Sequence, residues 1–387
     1  MRNNMKIGLL AHHWPANFGC NLQALATYQF LKNAGHEVTV LNYRPLFLEQ
    51  RYQRKVSTEQ IDMHNEFCMT FLNQSPILRS ESEIVGCCNE LCFDLILIGS
   101  DTLFRLSKEM NTDEGAFPNP FWAPWLNKLM NRPEICAISV SCGGSMYLTF
   151  PKRLQQDILH YLTNFDFISA RDRWTRWMIL FVSRGKVKPS LTPDPVSILG
   201  DVFPHIVEKH FRDPRQRGKY ILFGIAKKDV DYQWFKSFVE IAHSKGYQVY
   251  GLPHPEGFPN IPVDEVISLP LSPLDWYCWI KYSSGFIGER FHPIVCCIYN
   301  QVPFISIDNN YGAILKGHVP LRFRSKQYDL CKNFGQGAYC IPYHNLIRLD
   351  VKRLWYMLIE RNSISEASIQ ESKRMFCDTM TFILGGR

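Results

Sequence analysis

The stretch 265–307, EVISLPLSPLDWYCWIKYSSGFIGERFHPIVCCIYNQVPFISI, decides how the rest of the chain is read. Within it, Gly285-Phe-Ile-Gly288 is apolar and short, as a buried strand should be, and it stops where Glu289 and Arg290 introduce opposite charges. His292 follows, and then Pro293, whose missing N–H suits the first turn of a helix. The pattern predicts a helix over 293–300, a turn, and a second strand over 303–307. In open α/β sheets, ligands sit outside the carboxyl ends of strands, where helix N-termini offer free N–H groups and a partial positive charge. A permanent cation, Arg290, and a titratable imidazole, His292, at such a point predict an anion site. A bare Arg-x-His also fits an ion pair of Arg290 with Glu289 and a satisfied boundary histidine. Charge at the end of an apolar strand is expensive unless something pairs with it, which favours the site.

Length and composition bound the possibilities. At 387 residues the chain exceeds one typical core and fits two domains of ordinary size. Hydrophobic residues make up 46% and aromatics 13%, so it folds around substantial cores. The net charge of +7 suits an anionic substrate or anionic headgroups, but the charge is spread without a long basic block, and nucleic-acid binding is not expected. Thirteen cysteines in a chain of this length are too sparse for a disulfide scaffold, and Cys136, Cys278, Cys296 and Cys297 sit in apolar runs. They read as reduced core residues. Cys87, Cys88 and Cys92 cluster without a downstream ligand pair, so no metal site is expected. Neither a signal-peptide pattern nor an apolar run near 18 residues is present, and the expected location is cytoplasmic, with at most a peripheral membrane contact.

Outward from the central stretch, apolar runs at 6–11, 37–43, 94–98, 135–140 and 166–170 predict a parallel sheet, with a helix from about residue 22 to Gly35 between the first two. Each run empties small or polar residues at its end: Asn17, Gly19 and Asn21 after the first, Gly99-Ser100-Asp101 after the third, Ser141 to Ser145 after the fourth, and Arg171-Asp172-Arg173 after the fifth. Asp194-Pro195 closes a further short segment. These ends predict one ligand edge of a doubly wound domain. Residues 46–92 carry helical stretches to which no chemistry is assigned. A loop-rich insertion at 105–133 holds Phe117, Phe121, Trp122 and Trp125, which fit either a sugar-stacking platform or a loop tacked down by its own aromatics. The expected domains are 1–203, on the acceptor side, and 219–347, with the anion site. Between them lies a linker at 204–218, charged and broken by prolines. Helices at 348–387 are expected to pack back on the first domain.

The chain resembles the polysaccharide pyruvyl transferase family from residue 6 to about 335. The blocks that carry the resemblance are NFGCNLQALATYQFLKNAGHEVTVLNY, DLILIGSD at 94–101, ISVSCGGS at 138–145, FISARD at 167–172, DP at 194–195, the 271–307 portion of the central stretch, and RSKQYDL at 324–330. The resemblance implies an α/β fold of two Rossmann-like domains facing a central, GT-B-like cleft. It implies transfer of a pyruvyl group from phosphoenolpyruvate to two hydroxyls of one sugar, as a cyclic ketal, in bacterial surface or capsular polysaccharide biosynthesis. The family's Arg-x-His signature falls on Arg290 and His292, and the arginine of its S-x-R-[DE] block on Arg171. Glu289 and Pro293 stand where Ser or Thr and small residues are common, and Cys142 where an aromatic or aliphatic is common.

A donor with a phosphate and a carboxylate asks for several cations, and guanidinium forks match both anions. Arg290 and Arg171 are the expected donor ligands, joined by His292, with Lys326 a third cation. His292 is the expected proton carrier, held at a helix start. Glu289, Asp101 and Asp172 are unranked as base for a sugar hydroxyl. Asn17, Gly19, Asn21, Ser100, Asp101, Ser141 and Asp172 are the expected cleft residues on the acceptor side. No cofactor and no metal is required by this chemistry. The acceptor implied by the resemblance is a sugar or a lipid-linked oligosaccharide at the inner membrane face. Two rival readings are a GT-B glycosyltransferase using a nucleotide sugar and a family member that binds glycan without catalysis.

Overall fold

The computed structural model describes residues 4–106, 111–112, 115–204, 218–226, 230–308 and 322–385. The expected linker at 204–218 lies almost wholly outside the described residues, as do parts of the 105–133 insertion. Among the described residues, eight strands form in the first half: β1 (Lys6–Leu10), β2 (Glu37–Val40), β3 (Leu95–Ile98), the small hairpin β4 (Asn111–Thr112) and β5 (Gly115–Ala116), β6 (Glu134–Val140), β7 (Phe167–Ala170) and β8 (Ser190–Leu191). Apart from the hairpin they build one parallel sheet in the order β2-β1-β3-β6-β7-β8. The second half holds β9 (Tyr220–Gly224), β10 (Gln248–Gly251), β11 (Glu265–Val266), β12 (Gly285–Gly288), β13 (Phe304–Ile307) and β14 (Cys340–Ile341). These make a second parallel sheet, β11-β10-β9-β12-β13-β14.

Both faces of each sheet are covered, so strands such as LILI in β3 and FISI in β13 are fully buried and read as unbroken apolar runs. Each sheet reverses its strand order once, between β1 and β3 and between β9 and β12. A reversal splays the chain away on both sides and leaves a crevice at the carboxyl ends of the strands.

One apolar core joins the halves. It runs from Leu22, Leu25 and Leu97 in the first to Trp276, Ile280 and Val295 in the second, with further cores on the outer face of each sheet. Phe18 stacks on Trp276 with ring centroids 5.2 Å apart. The Gln60 amide bonds both the N–H and the C=O of Leu271, each at 2.8 Å. The last helix, Glu366–Gly385, returns to the first sheet, where Phe376 meets Phe30, Phe382 meets Phe167, and the Thr379 and Thr192 hydroxyls bond at 3.0 Å. Among the described residues no helix is long and apolar enough to cross a membrane. All thirteen cysteines are free thiols.

The helix expected at 293–300 spans Phe291–Tyr299. It begins two residues early because Arg290 makes the turn itself, at φ 68° and ψ 160°. Pro293 then falls within the first turn, where no N–H is needed.

Candidate active site

The site is assembled from the two strand-order reversals. After β12, the Glu289 N–H bonds the Gly224 carbonyl at 2.9 Å, and its carboxylate accepts the Ala226 N–H at 3.2 Å. Glu289 therefore ties the ends of β9 and β12 together, and it does not line the cavity that follows. Arg290 occupies a backbone region that costs a side-chain-bearing residue about 1–3 kcal/mol. Its side chain is half exposed, with Nη2 3.5 Å from the Glu256 carboxylate. His292, one residue into the helix, is buried with its ring close against Gly19 in the opposite half. A Cβ on Gly19 would stand 2.0 Å from Cγ and Nδ1 of that ring. Only glycine permits the approach.

Between these elements lies a cavity of about 250 Å³ whose walls include Asn17, Gly19, Asp101, Arg290, His292 and Lys326. Asn17 caps the helix Phe18–Asn33, its side-chain oxygen accepting the N–H groups of Gly19 and Cys20. Lys326 opens the helix Lys326–Asn333 and rests over the Phe291 ring, 5.1 Å from its centroid. Burial and the nearby Arg171 push the Lys326 ammonium below its ordinary value, against the pull of Asp101 and Asp172. A partly buried cation at the positive end of a helix is a costly arrangement that an anion relieves. His254, also at this cavity, is pushed down to about 3 by burial and by the Arg290 charge, so it stands there as a neutral imidazole.

The first sheet contributes a closed charge network. Arg171 is buried, with Nη1 2.8 Å from Asp194 and Nη2 3.1 Å from Asp101, and its guanidinium lies over Phe291 at 4.4 Å. Asp101 takes φ 92° beyond the end of β3, accepts from the Cys20 thiol and borders the cavity. Burial pushes the Asp101 carboxyl up, but Lys326 and Arg171 outweigh it and hold the group well below the usual carboxylate range. Asp194 also accepts from the Gln23 amide and from the Val196 N–H, and its Oδ2 stands 3.7 Å from His292 Nε2. Against its burial, His292 and Arg171 keep it ionised below its ordinary value.

Several expected residues have other employment. Arg171, expected as a free anion ligand, is committed to two carboxylates; its charge is spent inside the protein. Asp172 caps the helix Arg173–Val182 through Thr175 and accepts from Ser141, whose hydroxyl also takes the Gly143 N–H. Asn21 is buried among His13 and His64. Ser100 is buried at the end of β3. Arg290, His292, Lys326, Asn17, Gly19 and Asp101 do share the one cavity. Sequence reading passed over Asp194, although the Asp-Pro step after β8 was visible, and over Phe291, which sits inside the Arg-x-His signature. It assigned nothing to 46–92, yet Arg51, Tyr52 and Lys55 join Asn17 and Asp101 around an adjoining hollow.

The arrangement can hold a small anion between Arg290, Lys326 and a helix start, and can pass protons through an imidazole whose Nε2 faces a carboxylate. A family model described as polysaccharide pyruvyl transferase matches residues 17–311. No curated relative matches the chain by sequence. Among solved structures, the UDP-GlcNAc 2-epimerase from Methanocaldococcus jannaschii matches with a TM-score of 0.58 and 10% identity, over 98% of this chain and 100% of that one. A putative UDP-N-acetylglucosamine 2-epimerase from Listeria monocytogenes matches with a TM-score of 0.54 and 13% identity, over 99% and 98%. The enzyme from Rickettsia bellii gives 0.56 and 8%, over 99% and 97%. At these identities the likeness is one of fold, the GT-B arrangement of two parallel-sheet α/β domains.

Proposed function

The chain belongs to the polysaccharide pyruvyl transferase family, and on that premise we propose that it moves the pyruvyl group of phosphoenolpyruvate onto two hydroxyls of one sugar as a cyclic ketal. The observation that carries this is the meeting of Arg290, Lys326 and His292 on one cavity of about 250 Å³ at a helix start. Arg290 and Lys326 take the phosphate and carboxylate, aided by N–H groups of the first helical turn. His292, beside Asp194, gives a proton to the donor's methylene carbon. The oxygen of the first sugar hydroxyl bonds to the adjoining carbon, and its proton returns to the imidazole. The second hydroxyl then displaces phosphate, its oxygen forming the last C–O bond as the C–O bond to phosphate breaks, and its proton leaves on the phosphate. Asp194, with Oδ2 3.7 Å from Nε2, stabilises the imidazolium by its charge. Neither step calls on Glu289.

Phosphate release is the test. The purified protein with phosphoenolpyruvate and a galactoside or mannoside should liberate inorganic phosphate, and His292→Ala should stop it while leaving the circular dichroism spectrum unchanged. The second reading, a nucleotide-sugar glycosyltransferase, draws support from the GT-B fold. Release of UDP from UDP-sugars, with none of phosphate from phosphoenolpyruvate, would favour it. Melting shifts with neither donor would favour a glycan-binding protein without catalysis.

A further inference from the structure

A second cavity lies across Phe291 from the first. At about 490 Å³ it falls in the size range of small-molecule sites, about 300–1,000 Å³. The cavity beside Arg290, at about 250 Å³, is below that range and suits a molecule of few atoms. The larger one is walled by Arg171, the segment from Leu191 to Asp194 at the end of β8, the rings of Phe291, Tyr299 and Phe334, the helix Lys326–Asn333 and one face of the last helix. Phe291 and Lys326 border both cavities. The imidazole of His292 lines the smaller cavity only. Its Cγ and Nδ1 edge meets Gly19 on the smaller side, and its Nε2 faces Asp194, which lines the larger.

The last helix changes character along its length. Towards its end Phe376, Met380, Ile383 and Leu384 are buried in the core. Over the cavity the same helix presents Ala367, Ser368, Glu371 and Ser372, followed by Met375, on the i, i+1, i+4, i+5, i+8 face. Larger apolar side chains at 368 and 372 would fill this groove, and the small polar ones leave it open. The lining also balances in charge: Arg171 and Lys326 give +2, Asp194 and Glu371 give −2, for a sum of zero. Aromatic faces beside hydroxyls, amide and carboxylate suit an uncharged ring that carries C–H faces and hydroxyls.

We infer that this cavity receives the acceptor as a neutral pyranose ring, so that donor and acceptor sites meet at Phe291 and Lys326 and the last helix is the acceptor wall. The inference rests on the pyruvyl-transfer reading for the word acceptor, but the binding it states can be measured by itself. Methyl β-galactopyranoside and methyl α-mannopyranoside are the probes, observed by saturation-transfer NMR on the full chain. At least one should receive transfer to its ring protons from the wild type. Ser368→Trp, which fills the cavity, should weaken that transfer by about tenfold, while the melting shift given by phosphoenolpyruvate persists. Met375→Trp, at an exposed position on the same helix face, serves as the second variant should the first fail to fold. Unaltered transfer in a folded variant, or no transfer to either glycoside in the wild type, overturns the inference. Transfer to the glycosides with no melting shift from phosphoenolpyruvate would leave the cavity assignment standing and sink the donor reading instead.

Discussion

The two strand-order reversals are built alike and finished differently. In each sheet a buried parallel strand ends in a residue held at positive φ, Asp101 beyond β3 and Arg290 beyond β12. On the first sheet the charges that follow are closed on one another, with Arg171 bonded to Asp101 and Asp194 and all three buried. On the second sheet the cations are left open: Arg290 is half exposed with a single long contact to Glu256, and Lys326 sits over Phe291. One fold thus supplies a rigid wall on one side and a ligand site on the other. The first side should respond to substitution mainly in stability, the second mainly in binding and rate.

His292→Ala carries the largest expected effect on rate. Removing a general acid–base group costs about 10²–10⁴-fold, and kcat for phosphate release should fall in that range with the melting temperature nearly unchanged. A drop confined to stability would move His292 to the structural side of the comparison. Arg171→Met should do the reverse. Taking one partner from a buried ion cluster costs about 3–5 kcal/mol, here because Asp101 and Asp194 are left facing each other without the cation. Urea unfolding measures it, and a loss below about 1 kcal/mol would mean that the network is exposed to solvent.

Acidification acts on both halves. Burial pushes His13 down to about 4 and His64 down to about 3 in the first half, and burial with the Arg290 charge pushes His254 down to about 3 in the second. The unfolded chain protonates these rings below their ordinary value near 6.5, whereas the folded one keeps them neutral. Their stabilisation is therefore complete above pH 6.5 and is lost as pH falls towards 4. At about 1.4 kcal/mol per pH unit, His13 alone withdraws about 3 kcal/mol. Asp329, in the second half and bonded to Arg173 of the first, has the opposite sign. Burial pushes its carboxyl up to about 6, so its contribution is largest below its ordinary value and is lost as pH rises to 6. Melting temperatures between pH 7 and pH 4 should fall for the wild type and fall less for His13→Gln. Equal slopes would remove His13 from the account.

Much of this could be read from the chain, because strand ends announce themselves. An apolar run that stops at Gly288-Glu289-Arg290, or at Ile98-Gly99-Ser100-Asp101, states both a strand and its polar edge, and two sets of such runs state two sheets. Whether an end residue faces a ligand or a partner is a different matter. Arg171 reads as an anion ligand until Asp101, 70 residues away, and Asp194, 23 away, are seen to hold it. Glu289 reads as catalytic until the N–H of Ala226 claims it. Gly19 reads as a cleft residue but not as the seat of an imidazole, since the ring that needs its missing side chain comes from the other half. Pairings of this kind depend on how two sheets dock, and local pattern carries no record of that.

The smallest effect on rate, and the sharpest on the comparison, belongs to Arg290. As the exposed member of its pair, it can be removed without leaving a buried charge behind, and Arg290→Ala should leave stability within about 0.5 kcal/mol. Calorimetric titration of phosphoenolpyruvate into wild type and Arg290→Ala tests the central claim most directly. The account predicts saturable binding to the wild type and a Kd about ten- to a hundredfold weaker in the variant, the loss of one charge-assisted contact set. Equal affinity in the two proteins, or heat from a UDP-sugar and none from phosphoenolpyruvate, would contradict it.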